Sequence, residues 1–244
     1  MRLPHFFAGA PEPGGTVTLE AEDAHHALRA LRLRPGDGFT SSDGRGAVAR
    51  CRVVRATGLL VEGEVLDRIV EPPPRPSLSV LLSAPKGDRL TWAVQKLSEV
   101  GADEIVVVEA SRSVRRWDPE RAGRARGRLE AVAREAAKQS RRRHLPGVVG
   151  PRPWDEALDD ALARGPAVVL WERAERRLAD TLPEEAPAAL AVAVGPEGGI
   201  PEEDAGAAER RGAVLAGLGP QILRTETAAV VGAALVLARY GRLG

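Results

Sequence analysis

Apolar positions follow two patterns along this chain, and the change from one to the other falls near residue 72. Before it the apolar runs are short: Phe6 and Phe7, Val17 and Leu19, Phe39, Val48 and the alternating segment CRVVRATGLLVEGEVLD over 51–67. They are separated by turn clusters at Gly14-Gly15, Pro35-Gly36-Asp37, Asp43-Gly44 and Thr57-Gly58. Alternation between such turns predicts short strands with one buried face. Only Asp23 to Leu33 reads as a helix, with Asp23 as its N-cap. Residues 1–71 therefore read as a small β-rich domain. The run Glu71-Pro72-Pro73-Pro74-Arg75-Pro76 makes 72–76 a stiff polyproline linker.

Beyond the linker strands alternate with helices. SLSVLLSA is a strand, Asp88 to Val100 a helix closed by Gly101, EIVVVEA a second strand and Pro119 to about Arg142 a long charged helix. PWDEALDDALARG then predicts a helix and PAVVLWE a strand. LAVAV, Pro201 to Arg211, AVLAGL and Thr225 to Tyr240 complete the series as strand, helix, strand and helix. This alternation predicts an α/β domain over 77–244 with a mostly parallel sheet. From Thr227 to Ala238 every residue is apolar, small or hydroxyl-bearing, so the last helix lacks a polar face. Its second side is covered either by its own domain or by a second copy of the chain.

Two apolar strands end in Gly-Pro turns. LAVAV runs into GPEGG at Gly195 to Gly199, and AVLAGL into LGPQILRTETA at Leu218 to Ala228. Turns of this kind leave backbone groups accessible to a close ligand, at the carboxyl ends of strands where α/β sheets bind ligands. With the end of PAVVLWE they form three loops, Leu170 to Glu172, Gly195 to Gly199 and Leu218 to Arg224, that converge on one sheet edge.

Length and charge narrow the function. The chain has 244 residues, 43% of them hydrophobic, and no apolar run long enough to span a bilayer. Cys51 is the single cysteine, so no internal disulfide forms, and MRLPHFF is too short for a signal peptide. The cytosol fits best. Net charge is only +1, but it is segregated: Arg112 to Arg143 holds eleven Arg and one Lys against four acids, whereas ten Arg face fifteen acids from Gly150 onward. Arginines beside the Gln139-Ser140 pair match phosphate in bidentate fashion and point to RNA. The adjacent His25 and His26 lack any companion pattern for a metal, and none is expected. Walker A, Gly-x-Ser-x-Gly and His-Glu-x-x-His motifs are absent, and SLSVLLSA leads into Pro85-Lys86-Gly87-Asp88 rather than a dinucleotide-binding turn.

GPEGG followed by LGPQILRTETA closely resembles the C-terminal signature of the SPOUT methyltransferases, specifically the RsmE-type family that methylates N3 of a uridine in 16S ribosomal RNA. The likeness covers nearly the whole chain, through MRLPHFF, HHALRALRLRPGD, KGDRLTWAVQKLSEVGADEI and EAAKQSRRRHLP. His5 and His144 depart from it, standing where the family pattern has Arg. The resemblance implies a PUA-like β-barrel that grips RNA, followed by a SPOUT domain whose C-terminal segment threads a trefoil knot, and pairing of catalytic domains into a homodimer.

It also implies S-adenosylmethionine as cofactor and 16S ribosomal RNA, or the small subunit, as partner, with no membrane. The expected cofactor residues are Leu170, Trp171, Glu172, Gly195, Pro196, Glu197, Gly198, Gly199, Leu218, Gly219, Pro220, Ile222, Leu223, Arg224, Thr225 and Ala228. Those expected on RNA are Arg2, Arg32, Lys86, Arg112, Arg115, Arg116, Gln139, Ser140, Arg141 and Arg142. Arg224 is the expected catalytic cation. Glu226, or Glu172 or Glu197 in its place, would accept the N3 proton or position the donor; the alternative is that Glu226 only complements the helix dipole and pairs with Arg224. A non-catalytic RNA-binding or assembly protein on the same fold, or a methyltransferase of another RNA such as transfer RNA, is the competing reading.

Overall fold

The computed structural model describes residues 3–58, 60–109 and 118–244. They form two compact units. The first comprises residues up to Pro73 together with Lys138–Leu145, and the second Pro74–Ala137 with Pro146–Gly244.

In the first unit five strands, β1 (His5–Phe6), β2 (Thr16–Leu19), β3 (Gly38–Ser42), β4 (Ala47–Thr57) and β5 (Leu60–Val70), form one sheet in the order β1-β3-β4-β5-β2. All pairings are antiparallel except β1 with β3. The alternation in 51–67 yields two eleven-residue strands rather than several short ones. Register shifts at Arg50/Cys51 and Val53/Arg55 bend this long pair, as bulges do, and Phe6, Leu19, Phe39, Cys51, Val61 and Val65 fill its concave side.

The helix expected from Asp23 differs. Helix α1 (Ala21–His25) begins earlier, with Glu20 at its N-cap, and passes into a wider π-helical turn over His26–Ala30. Asp23 caps nothing; its carboxylate pairs with Lys138 Nζ at 2.6 Å, both side chains being largely buried. That pair ties in the segment 138–145, which the sequence pattern had left with the second domain. The Arg143 carbonyl accepts from Ser42 Oγ at 3.1 Å and from the Gly46 amide at 3.1 Å, and the Leu145 amide donates to the Gly44 carbonyl at 2.9 Å. His5 is buried and does not present its ring to RNA as an arginine would, whereas His144 is half-buried with Nε2 shielded from solvent.

The second unit is a six-stranded, wholly parallel sheet of β6 (Ser77–Ser83), β7 (Glu104–Glu109), β8 (Gly147–Pro153), β9 (Ala167–Leu170), β10 (Ala189–Val194) and β11 (Val214–Ala216), in the order β11-β9-β10-β6-β7-β8. Strand β8 is an addition to the expected set. Helices α2 (Arg89–Val100), α3 (Pro119–Ser140), α4 (Trp154–Arg164), α5 (Leu178–Thr181), α6 (Glu202–Arg210) and α7 (Thr225–Arg239) follow the strands. Leu78, Val80 and Leu82 face α2, α5 and α7, while Leu81, Val169 and Ala193 face α4 and α6. Strands buried on both faces need no polar alternation, which is why they read as continuous apolar runs.

At the bottom of this sheet, near the amino ends of β6 and β7, the C-terminal Arg242 closes the unit. It grips Asp103 through two bonds of 2.7 and 3.0 Å and also donates to the carbonyls of Pro76 and Gly101. No helix among the described residues is long and apolar enough to cross a membrane.

Candidate active site

The loops after β6, β9, β10 and β11 enclose a cavity of about 680 Å³ in the second unit, within the size range of sites for small organic ligands. All sixteen residues expected at a cofactor line it. The structure adds Lys86, Arg89, Val194, Ile200 and Gln221. Lys86, placed on RNA by the sequence reading, stands at this cavity.

The loop shapes follow from local packing. A Cβ on Gly195 would lie 2.3 Å from Ile200 Cγ1, so only glycine lets the GPEGG turn fold back upon Ile200. Gly199 has φ +75°, a left-handed conformation that costs a side-chain-bearing residue about 1–2 kcal/mol. Trp171 Nε1 donates to the Ile200 carbonyl at 3.0 Å, joining the loop after β9 to the loop after β10. The buried Thr225 hydroxyl donates to the Gly195 carbonyl at 3.1 Å and joins the third loop to the second. The cavity is thus braced from loop to loop before any ligand arrives.

Its walls differ in chemistry. Leu170, Val194, Ile200, Leu218 and Ala228 supply an apolar side, with Ile222 at the rim 89% exposed. Lys86, Arg89, Arg224, Glu172 and Glu197 supply the charge. Arg224 occupies the N-cap position of α7, is exposed, and makes no ion pair among the described residues. Glu226 is different from expectation. It is 7% exposed and does not line the cavity; its Oε1 lies 3.6 Å from Arg89 Nε, and its Oε2 is buried without a partner. Arg89 in turn donates to Glu197 Oε1 at 2.6 Å. The partner of Glu226 is therefore Arg89, a residue the sequence reading missed, and not Arg224.

The residues expected on RNA separate. Arg32, exposed at φ +55°, and Gln139, Ser140, Arg141 and Arg142 belong to the first unit. Arg2, Arg112, Arg115 and Arg116 lie outside the described residues.

An all-parallel sheet with its cavity beyond the carboxyl ends of its strands is the arrangement in which α/β proteins bind ligands, and the match to known proteins makes this one a SPOUT-type methyltransferase fold. The chain belongs to the RNA methyltransferase family: that family's methyltransferase domain matches residues 71–237 and its PUA domain residues 19–66. Over 225 residues it is 37% identical to the ribosomal RNA small subunit methyltransferase E of Mycobacterium tuberculosis, covering 91% of this chain and 86% of that protein. The enzyme of the same name from Bacillus subtilis is 30% identical over 226 residues, covering 89% and 88%. The crystal structure of a ribosomal RNA small subunit methyltransferase E from Neisseria gonorrhoeae bound to S-adenosyl methionine superposes with a TM-score of 0.87, at 27% identity and 98% coverage of both chains.

Proposed function

We propose that this chain transfers the methyl group of S-adenosylmethionine to 16S ribosomal RNA of the small subunit, with N3 of a uridine as the acceptor atom. The observation that carries the reading is the cavity in which four strand-end loops set an apolar wall against a charged one. The residues fit the donor: the apolar side suits an adenine, and the positive-φ turns at Gly199 and Gly219 bring backbone close to a ligand. When bound, S-adenosylmethionine supplies a methyl group already activated on a sulfonium. The protein's tasks are then to aim the nucleophile and manage its charge.

Uridine N3 carries a weakly acidic N–H; as N3 takes the methyl group its proton passes to water or to a cavity carboxylate, Glu172 or Glu197, and the negative charge that gathers on the base oxygens needs a cation. Arg224 serves this role. Its guanidinium makes no ion pair among the described residues, lines the cavity and stands where the α7 N-terminus also favours negative charge. Arg32, Arg141 and Arg142 hold phosphates from the first unit, fixing register rather than sequence. The uridine and its N3 rest on the family resemblance.

The chain acts as a homodimer. On α7, Leu235 is 44% exposed beside half-exposed Val231 and Ala234, and Trp92 on α2, which packs against α7, is 43% exposed. A second copy covers this apolar face; light scattering that returns the monomer mass of 25.9 kDa at micromolar concentration would refute it.

The test of the function is to incubate the protein with ribosomal RNA, small subunits and transfer RNA plus labelled donor, then map the label. Label on one uridine N3 of 16S RNA is expected. Label confined to transfer RNA, or none despite a donor-induced thermal shift, would reject it.

A further inference from the structure

Arg89 is an odd choice for its place. It is the first residue of α2, where the helix dipole repels a cation, so nothing in the helix itself calls for it. Two carboxylates compensate. Glu197, from the loop after β10, takes Nη1 at 2.6 Å, and Glu226, from the first turn of α7, stands 3.6 Å from Nε. The second distance is too long for a hydrogen bond, and the other oxygen of Glu226 is buried without a partner. Glu226 thus sets a buried carboxylate beside Arg89. Meanwhile Nη2 makes no hydrogen bond among the described residues, and the side chain is 41% exposed and lines the cavity.

We propose that Arg89 is the carboxylate receptor of the donor site: its free Nη2 binds the α-carboxylate of S-adenosylmethionine, and Glu226 is a positioning residue that acts through it. The inference rests on the donor reading above. A guanidinium hydrogen-bonded to one carboxylate and flanked by a second has lost part of its rotamer freedom before a ligand arrives, and its planar fork matches a carboxylate. The arrangement divides the cavity's cations. Arg89 meets a charge present in the ground state and contributes to donor affinity; Arg224, unpaired, meets the charge that develops on the base and contributes to rate.

The experiment is a cycle between residue and ligand, read by calorimetry. S-adenosylmethionine and its decarboxylated analogue are titrated into the wild-type protein and into Arg89→Ala, Arg89→Lys and Glu226→Gln variants, without RNA. Wild type should favour the intact donor by about ten- to a hundredfold, the range for a hydrogen bond between charged groups. Arg89→Ala should lose that preference and bind the analogue as wild type does, Arg89→Lys should keep part of it, and Glu226→Gln should lower it severalfold. Arg89 is half-exposed, so its variants test the idea even if Glu226→Gln does not fold. An unchanged preference in Arg89→Ala overturns the inference. So does an equal loss for both ligands, which would make Arg89 a support of cavity shape, and so does a preference unchanged while RNA affinity falls, which would assign Arg89 to phosphate. If the wild-type protein binds neither ligand, the donor reading itself fails.

Discussion

Two arginines of the second unit each collect acidic partners, one at the bottom of the sheet and one at the cavity, and they do it differently. Arg242 is 14% exposed and Asp103 13%; the pair is bidentate, and the spare donors of the guanidinium go to the Pro76 and Gly101 carbonyls. Arg89 is 41% exposed and shares two carboxylates, one bond short and the other contact loose. A buried pair whose Nη1 and Nη2 are each bonded twice serves the fold. An unsaturated one, beside a cavity and backed by a buried orphan oxygen, serves function at some expense to the fold.

The sharpest way to break this contrast is to remove each arginine. Arg242→Ala leaves the Asp103 carboxylate largely buried and two carbonyls short of partners, so urea unfolding should show a loss of about 3–5 kcal/mol. Donor affinity measured well below the midpoint should not change. Arg89→Ala should lower donor affinity instead, with the smaller stability loss of the two, because Glu197 stays in contact with solvent even though the buried Glu226 loses its neighbour. Equal stability losses in the two variants would erase the distinction.

Gly199 tests whether the cavity's backbone is as pre-set as its charges. A Cβ there would approach only the mobile end of Glu172, at 3.0 Å from Oε1, so the demand for glycine comes from φ +75° and not from lack of room. Gly199→Val, a β-branched residue forced left-handed, should lower donor affinity by about ten- to a hundredfold, whereas Gly199→Asn, which tolerates that conformation, should lose much less. Equal losses would mean that the ligand occupies the space of the side chain.

Arg224 sharpens the division between ground-state and transition-state cations. Arg224→Ala should slow single-turnover methylation by about ten- to a thousandfold, the effect of deleting one preorganised charge partner, with donor affinity nearly intact. Unchanged turnover at saturating RNA and donor would remove it from the chemistry.

What the sequence made legible, and what it hid, divides along a related line. Much that is local was readable: the two Gly-Pro turns, the buried strands and the gathering of all sixteen singled-out positions at one cavity; the start of α1 and its π-helical turn were not. What else escaped depends on distant partners. Strand β8, with Gly147, Gly150, Pro151 and Pro153, has no strand pattern of its own and exists because β7 offers it an edge. Lys138–Leu145 extends a charged helix in sequence, and only Asp23, Ser42 and Gly44 reveal that it packs with the first unit. Arg89 lies in a segment that reads simply as the opening of a helix. Its partners are 108 and 137 positions away, and no periodicity reports such a meeting.

The first unit offers a third case, a charge that must not form, and the smallest effect follows from it. His5 is buried on β1, with Nδ1 2.9 Å from Thr40 Oγ1. Burial lowers its pKa below the ordinary 6.5; the Arg142 backbone pulls partly the other way, and the Arg141 and Arg143 guanidiniums add to the lowering. The native ring is therefore neutral at pH values where the unfolded ring has begun to protonate. Well above pH 6.5 neither state holds the proton and His5 adds no pH dependence. As the pH falls from 6.5 towards the lower native pKa, the unfolded state binds the proton first, so stability declines. Replacing the ring by a group that keeps a polar atom near Thr40 but cannot titrate isolates this contribution. His5→Asn, compared with wild type in urea at pH 7.5 and at pH 5.5, should lose less stability on acidification, because every other titrating group is common to both proteins. The same decline in both would mean that His5 is protonated as easily in the folded chain as in the unfolded one, and that the arginines around it exert no hold on its charge.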